Sequence, residues 1–383
     1  MCDILKHTTM KTGDKTMKKI HRTLSLFTVA AMCTALLCSC GEAPDGSQTD
    51  SSSKAATTTT ADTTADTTTA GEASSTASAT SAPDSSVSDN SSSVTDDTKT
   101  NGITPAMWKV TSPEGNTMVM LGSFHALKDE CYPLPEAVTN AYNNADILAV
   151  ECDITSTSED GEYMKNLMKQ MLYNDNTKLS QHISEEAYSA LQTYLGYWGM
   201  DISALEVYRP WAVSSTLDTL LIQDSDFDTE KGLDNFLLTT AHADGKEIYE
   251  VESVDFQMNM LINFSDDIYD LMFRSYEGET KESQKQALED LYTAWKSGDI
   301  ETFLEEDNEE ELAGYTEEDK KIAEDYNNQM LYDRNKNMAK AAEDLMSQGK
   351  NVFYVVGAAH YAGEGGIIDL LEKDGYTAER VQY

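Results

Sequence analysis

Positive charge is what this chain has least of: 28 Lys and Arg stand against 67 Asp and Glu, a formal net charge of −39. A surface that acidic has the wrong sign for a phosphate backbone or an anionic lipid face, so nucleic acid is excluded as a partner. It is compatible with cation binding, although a solvated acidic surface is the simpler reading. Cysteine is also thin. Of six, Cys2, Cys33, Cys38 and Cys40 fall near the N-terminus, leaving Cys131 and Cys152 for the foldable part. With no Cys-x-x-Cys pair, a cysteine-based zinc site is not expected. A disulfide between Cys131 and Cys152 and a pair of buried thiols both stay open. Familiar catalytic signatures are missing too. There is no His-Glu-x-x-His, which excludes a zincin. There is no Gly-x-Ser-x-Gly elbow of the α/β-hydrolase kind, and no Walker-type glycine loop. Asp224-Ser225-Asp226-Phe227-Asp228 begins like a calcium loop, but Thr229 stands where the turn needs Gly and Asn235 where it needs Glu.

The apolar stretch Leu24–Leu37 is too short to span a bilayer comfortably. It follows the basic Met17-Lys18-Lys19-Ile20-His21-Arg22 and fits the core of a signal peptide, residues 1–39, with Met17 an alternative start. An uncleaved anchor is the alternative. The stretch ends in Leu37-Cys38-Ser39-Cys40-Gly41, which resembles a bacterial lipobox. That resemblance implies cleavage before Cys40, lipid on its sulfur, and a membrane-anchored protein facing the extracytoplasmic side. Losing six basic and two acidic residues with the leader leaves a net charge of −43. Residues 40–102 are dominated by Ser, Thr, Ala, Asp and Gly. Such a segment cannot bury enough apolar surface to offset the entropy of ordering, so it reads as a disordered tether.

Residues 103–383 carry the folded domain. Alternating and continuous apolar runs predict a hairpin from Trp108–Thr111 and Thr117–Leu121, then strands at Ile147–Glu151, Lys246–Val251, Val352–Val356 and Tyr376–Val381. Helical periodicity covers Pro135–Asn144, Tyr163–Leu172, Glu185–Tyr197, Trp211–Ile222, Leu233–Ala243, Asp255–Ile262 and Ile367–Lys373. Residues 266–346 read as helical and acidic throughout. The expected fold is α/β: a mixed sheet flanked by helices, with a mostly helical insert at about 266–346.

Two Gly-x-x-His tetrads follow apolar runs: Gly122-Ser123-Phe124-His125 and Gly357-Ala358-Ala359-His360. A glycine beside the strand end suits a sharp turn. Each imidazole then lies beyond the carboxyl edge of the sheet, where open α/β folds place their ligands. Glu151 ends one buried run and Glu252 another; a carboxylate there suits a divalent metal or the base that activates water. Asp153 is a weaker alternative to Glu151. Arg209 and Arg334 stand out in a chain poor in arginine, as binders of a substrate carboxylate, as oxyanion partners, or as salt-bridge members. His182 and His242 read as structural.

Taken in order, Gly122–His125 with Leu134-Pro135, Ile147–Glu151, Arg209-Pro210-Trp211, Gly232-Leu233-Asp234, Val251-Glu252 with Gln257, Arg334-Asn335 and Val355–His360 resemble the TraB/GumN family. That family is related to the Tiki metalloproteases and more distantly to erythromycin esterase-like proteins. The resemblance spans about Trp108 to Val381. It implies divalent-metal-dependent hydrolysis, most of all of peptides or another small extracellular substrate. Manganese or cobalt is the implied metal, with zinc also compatible. Carried over, His125 and His360 are metal ligands and Glu151 a ligand or base, with Glu252 a further member. Two other classes stay open: a binding or scaffold lipoprotein that keeps the fold without catalysis, and a metal-independent esterase.

Overall fold

The structure is a computed structural model that describes residues 102–155, 161–304 and 315–383. The leader, Cys40 and the tether lie outside the described residues.

The sheet has six strands: β1 (Met107–Thr111), β2 (Thr117–Ser123), β3 (Ile147–Val150), β4 (Glu247–Glu250), β5 (Val352–Gly357) and β6 (Thr377–Arg380). Their spatial order is β4-β3-β5-β2-β1-β6. β1 runs antiparallel to both its neighbours, and β2, β5, β3 and β4 are mutually parallel. The central strands β3 and β5 are buried at every position, while the edge strands β4 and β6 are largely exposed. This is why Ile147–Val150 and Val352–Val356 read as continuous apolar runs rather than alternating ones. The chain goes from β2 past the β5 position to β3 and β4, then returns to insert β5 between β2 and β3. The carboxyl ends of β2, β5 and β3 therefore sit side by side, which is where such a sheet binds ligands.

The described helices are α1 (Glu136–Asn144), α2 (Gly161–Gln170), α3 (Glu185–Tyr197), α4 (Pro210–Gln223), α5 (Leu233–Asp244), α6 (Val254–Ile262), α7 (Asp266–Arg274), α8 (Lys281–Ser297), α9 (Glu317–Asn327), α10 (Asp333–Met346) and α11 (Ile367–Lys373). None of the described helices is long and apolar enough to cross a membrane. Two hydrophobic cores result. One joins the sheet to α1, α5, α8, α10, α11 and the end of α4. The other is made by α2, α3, α6, α7 and the start of α4, with Tyr326 and Met330. The stretch expected as one insert thus divides: α8 and α10 pack on the sheet, while α7 and Tyr326 of α9 join the second core. Periodicity marks which face of a helix is apolar but not which partner covers it.

Asp218 of α4 is 3% exposed, and its Oδ2 has no hydrogen-bond partner among the described residues. Burial pushes its pKa well above the ordinary carboxylate range. A raised folded-state pKa means that the native state binds the proton more tightly, so this residue's contribution to stability is lost as pH rises above the unfolded value near about 4. Asp218→Asn is therefore expected to raise stability at neutral pH by at least about 1 kcal/mol, with the gain shrinking toward about pH 4. Urea melts at the two pH values check it; equal midpoints at neutral pH would contradict it.

Candidate functional site

Each tetrad ends its strand in a way that commits the histidine. His125 follows β2, and α5 docks on that loop: Leu233 N–H donates to Phe124 O at 3.0 Å, and a Cβ on Gly232 would overlap the His125 carbonyl. The docking brings Asp234 to His125, with Oδ2 2.8 Å from Nδ1. His360 lies on a 3-10 turn, Ala358–Tyr361, directly after β5. Its Nδ1 is 2.7 Å from Asn335 Oδ1, and Asn335 Nδ2 donates to Gly365 O at 2.9 Å. Because an amide oxygen only accepts, His360 carries its proton on Nδ1 and presents a bare Nε2 to the site. Both rings thus turn Nε2 inward, oriented by a partner on the other nitrogen.

The glycines act through space rather than through turn geometry. Neither Gly122 nor Gly357 has a positive φ; Gly357 sits at φ −51°, ψ 138°. A Cβ on Gly122 would meet Ala358 Cα at 2.9 Å, so that glycine lets β2 and the second tetrad pack together. A Cβ on Gly357 would lie 3.0 Å from Glu151 Oε1 and 3.6 Å from His125 Nε2 and His360 Cδ2. The three side chains therefore line one gap beside Gly357.

Glu151 follows β3, and its backbone continues the parallel ladder through Glu252 N–H to Glu151 O at 2.8 Å. Its Oε1 accepts from Gly357 N–H at 2.6 Å and lies 3.7 Å from His360 Nε2. Its Oε2 accepts from Gln257 Nε2 at 2.9 Å and from Arg334 at 2.8 Å. Glu252 takes two further bonds from Arg334, both at 2.9 Å, and one from Gln257 at 2.7 Å. Arg334 also donates to Met330 O at 3.0 Å, within a π-helical turn, Asn328–Tyr332, that leads into α10. Such turns often mark functional positions. Arg334 is therefore committed to a buried two-carboxylate clamp, its salt-bridge alternative, rather than aimed at a substrate oxyanion.

The electrostatics follow from this layout. Burial alone would raise the Glu151 pKa, but Arg334 first, then the two imidazoles and the Gly357 N–H, hold it far below the carboxylate range. Burial, reinforced by Arg334, lowers the His360 pKa to about 3, so the ring is neutral. At His125 burial also opposes the charge, yet Asp234 outweighs it and the pKa rises to about 9. Of the three side chains His125 is the most exposed, at 27% against 6% for His360 and 11% for Glu151.

Other expected residues lie elsewhere. Arg209 caps the start of α4, with its N–H on Met171 O at 2.8 Å and its charge acting on the Tyr173 phenol. No hydrogen bond or ion pair among the described residues ties its guanidinium to the site. Asp153 pairs with His242 at 2.8 Å, and His182 bridges Asp266 at 2.9 Å and Thr177 at 2.8 Å. Cys131 and Cys152 are free, buried thiols. They bond to different partners, Tyr292 OH at 3.1 Å and Gln257 Oε1 at 3.3 Å, so the disulfide alternative is not formed. Asp234, Asn335 and Gln257 are the residues whose roles the sequence did not disclose. The signal for each was its place in a piece of the family resemblance: Gly232-Leu233-Asp234, Val251-Glu252 with Gln257, and Arg334-Asn335.

Among the described residues no group of three or more His, Cys, Asp or Glu side chains is arranged to hold a metal ion. Two imidazoles and one carboxylate oxygen face the gap at Gly357, nitrogen and oxygen donors of the kind a divalent cation takes once the His125 ring has lost its second proton.

The model of the TraB/PrgY/gumN family matches residues 106–380. The uncharacterized protein YbaP of Escherichia coli (strain K12) is 26% identical over 157 residues, 41% of this chain and 56% of YbaP. A metalloprotease TIKI homolog of Nematostella vectensis is 25% identical over 293 residues, 65% of this chain and 61% of that protein. Metalloprotease TIKI2 of Danio rerio is 25% identical over 164 residues, 38% of this chain and 32% of TIKI2. The chain thus spans less than two thirds of the length of each. No solved structure matches it.

Proposed function

We propose that this chain, which belongs to the TraB/PrgY/gumN family, is a metal-dependent hydrolase whose favoured substrate is a peptide bond. The observation that carries the reading is the meeting of His125 Nε2, His360 Nε2 and Glu151 Oε1 around the gap at Gly357. The partial likeness to proteins named metalloproteases supports it. His125, His360 and Glu151 would hold the cation, with manganese or cobalt favoured and zinc compatible. When bound, the metal supplies Lewis acidity toward a carbonyl and makes water a stronger acid.

The protein's own part is positioning. Asp234 and Asn335 fix the two rings so that Nε2 faces the gap. Arg334 and Gln257 hold Glu151 ionised and immobile through Oε2, leaving Oε1 to face the imidazoles. A carboxylate kept so acidic is a weak base, which favours Glu151 as an anionic ligand over a proton shuttle. Glu252 shares the Arg334 guanidinium with Glu151.

Metal analysis and peptide turnover of the purified protein test this. Chelation is expected to abolish turnover and manganese or cobalt to restore it, and His125→Ala and His360→Ala to lose bound metal. Glu151→Gln separates the two roles: a ligand's loss removes the metal, a base's loss leaves it in place with turnover gone. Retention of metal and peptide cleavage by both histidine variants would end the proposal. The Asp234 bond that orients the His125 ring favours a second reading, metal-independent ester hydrolysis through His125 and Glu151. Full activity in excess chelator would select it.

For the N-terminal segment the proposal is a lipid anchor at Cys40 that holds the domain on the extracytoplasmic side of a cell membrane. Incorporation of labelled fatty acid, lost in Cys40→Ala, is the expected result.

A further inference from the structure

Ser123 is the second residue of the first tetrad and closes β2, where the parallel register pairs it with Gly357 of β5. Paired residues on neighbouring strands send their Cβ atoms to the same face of a sheet, and successive residues to opposite faces. Gly357 identifies the face: its Cβ direction leads to Glu151 Oε1, His125 Nε2 and His360 Cδ2. Gly122, one residue earlier, points the other way, toward Ala358 and the Ala106 carbonyl. The Ser123 side chain therefore leaves the sheet on the side of the gap.

Ser123 is 2% exposed, and its Oγ has no hydrogen-bond partner among the described residues. A hydroxyl removed from water and left unpaired is costly, and buried polar groups are as a rule completed by protein, ordered water or ligand. The donors and ring nitrogens that serve the site are already engaged. Gly357 N–H and the Gln257 amide serve Glu151, and both Nδ1 atoms have their partners. Ser123 Oγ is thus an uncommitted hydroxyl on the gap's own face, able both to donate and to accept.

We propose that Ser123 is a positioning residue whose Oγ holds the reacting water in the gap beside Gly357, within reach of His125 Nε2 and Glu151 Oε1. The role in turnover rests on the hydrolase reading above, but the water site itself does not. One lone pair of Oγ receives a proton of the water, or its O–H donates to the water oxygen, so the molecule is oriented before substrate arrives.

High-resolution crystal structures of the wild type and of Ser123→Ala separate the two ideas. The expected result is an ordered water within about 3 Å of Ser123 Oγ, bonded also to His125 Nε2 or Glu151 Oε1, and absent from Ser123→Ala. An Oγ in dry surroundings, or one turned onto a backbone carbonyl, overturns the assignment whether or not the protein hydrolyses peptides. The water in place in a protein without turnover would leave the site standing and remove the hydrolase reading. Where turnover is measured, Ser123→Ala is expected to lower kcat by about 10- to 100-fold with KM little changed, and Ser123→Thr to recover most of it. A hydroxyl that is only a packing remnant gives the opposite pattern: kcat unchanged and a higher Tm, because removing an unpaired buried group stabilises.

Discussion

Arg334→Met is expected to lower the unfolding free energy at neutral pH by about 3–5 kcal/mol. Methionine fills much of the same volume, so the loss is chiefly electrostatic. Arg334 is 4% exposed and holds both Glu151 and Glu252, whose side chains are 11% and 5% exposed. Without it two carboxylates face each other in a dry site with Gln257 as their shared donor. The pH dependence gives the result a signature. In the wild type the Glu151 pKa is depressed, so its contribution is present above the unfolded value near about 4.3 and is lost only as pH falls toward the folded value. In the variant burial acts on Glu151 without the Arg334 charge, its pKa rises, and stability instead declines as pH climbs. The gap between the two proteins should therefore be widest at neutral pH and narrow toward about pH 4.5. Urea melts at both pH values decide the matter. A variant with unchanged midpoint at neutral pH would show that the clamp contributes nothing net.

Gly357→Ala should separate function from fold in the other direction. The backbone there, at φ −51° and ψ 138°, suits any L-residue, and alanine restricts the unfolded chain, a gain of about 0.4–1 kcal/mol. The added methyl, however, enters the gap 3.0 Å from Glu151 Oε1 and 3.6 Å from His125 Nε2. Glu151 is bonded on both oxygens, so it cannot yield without losing Gly357 N–H or Arg334. Turnover is expected to fall by about 100-fold or more with only a small drop in Tm, the restricted unfolded chain offsetting part of the displaced Glu151 contact. Gly122→Ala is the control, since its Cβ meets backbone at 2.9 Å and it should cost stability before it touches chemistry. Near-wild-type activity in Gly357→Ala would mean that the gap is not where substrate or water reacts.

The reach of the sequence differs between fold and site. Strands β3 and β5 were legible because both faces are buried, so apolar side chains run without interruption. The helices Glu185–Tyr197 and Ile367–Lys373 were legible to the residue, the first opened by the Ser184 cap and the second closed by Asp374-Gly375. The site was legible only where a polar residue broke an apolar run at a strand end, as His125, Glu151 and His360 do. Asp234, Asn335 and Ser123 gave no such contrast, since each sits among other polar or small residues and matters through what a remote segment brings to it. Arg209 and Arg334 looked alike as scarce arginines, yet one caps a helix and the other is enclosed by two carboxylates.

Local chemistry along the chain, then, determined the element order, the mixed sheet and the histidines and glutamate that end its strands, because burial on two faces and capping are written in neighbouring residues. Tertiary structure alone decided that those ends meet, since the insertion of β5 between β2 and β3 is a long-range pairing that no local pattern encodes. It also decided which nitrogen each imidazole presents and which charge faces which. Those depend on groups far apart in sequence, Asp234 109 residues from His125 and Arg334 183 from Glu151, drawn into one low-dielectric space.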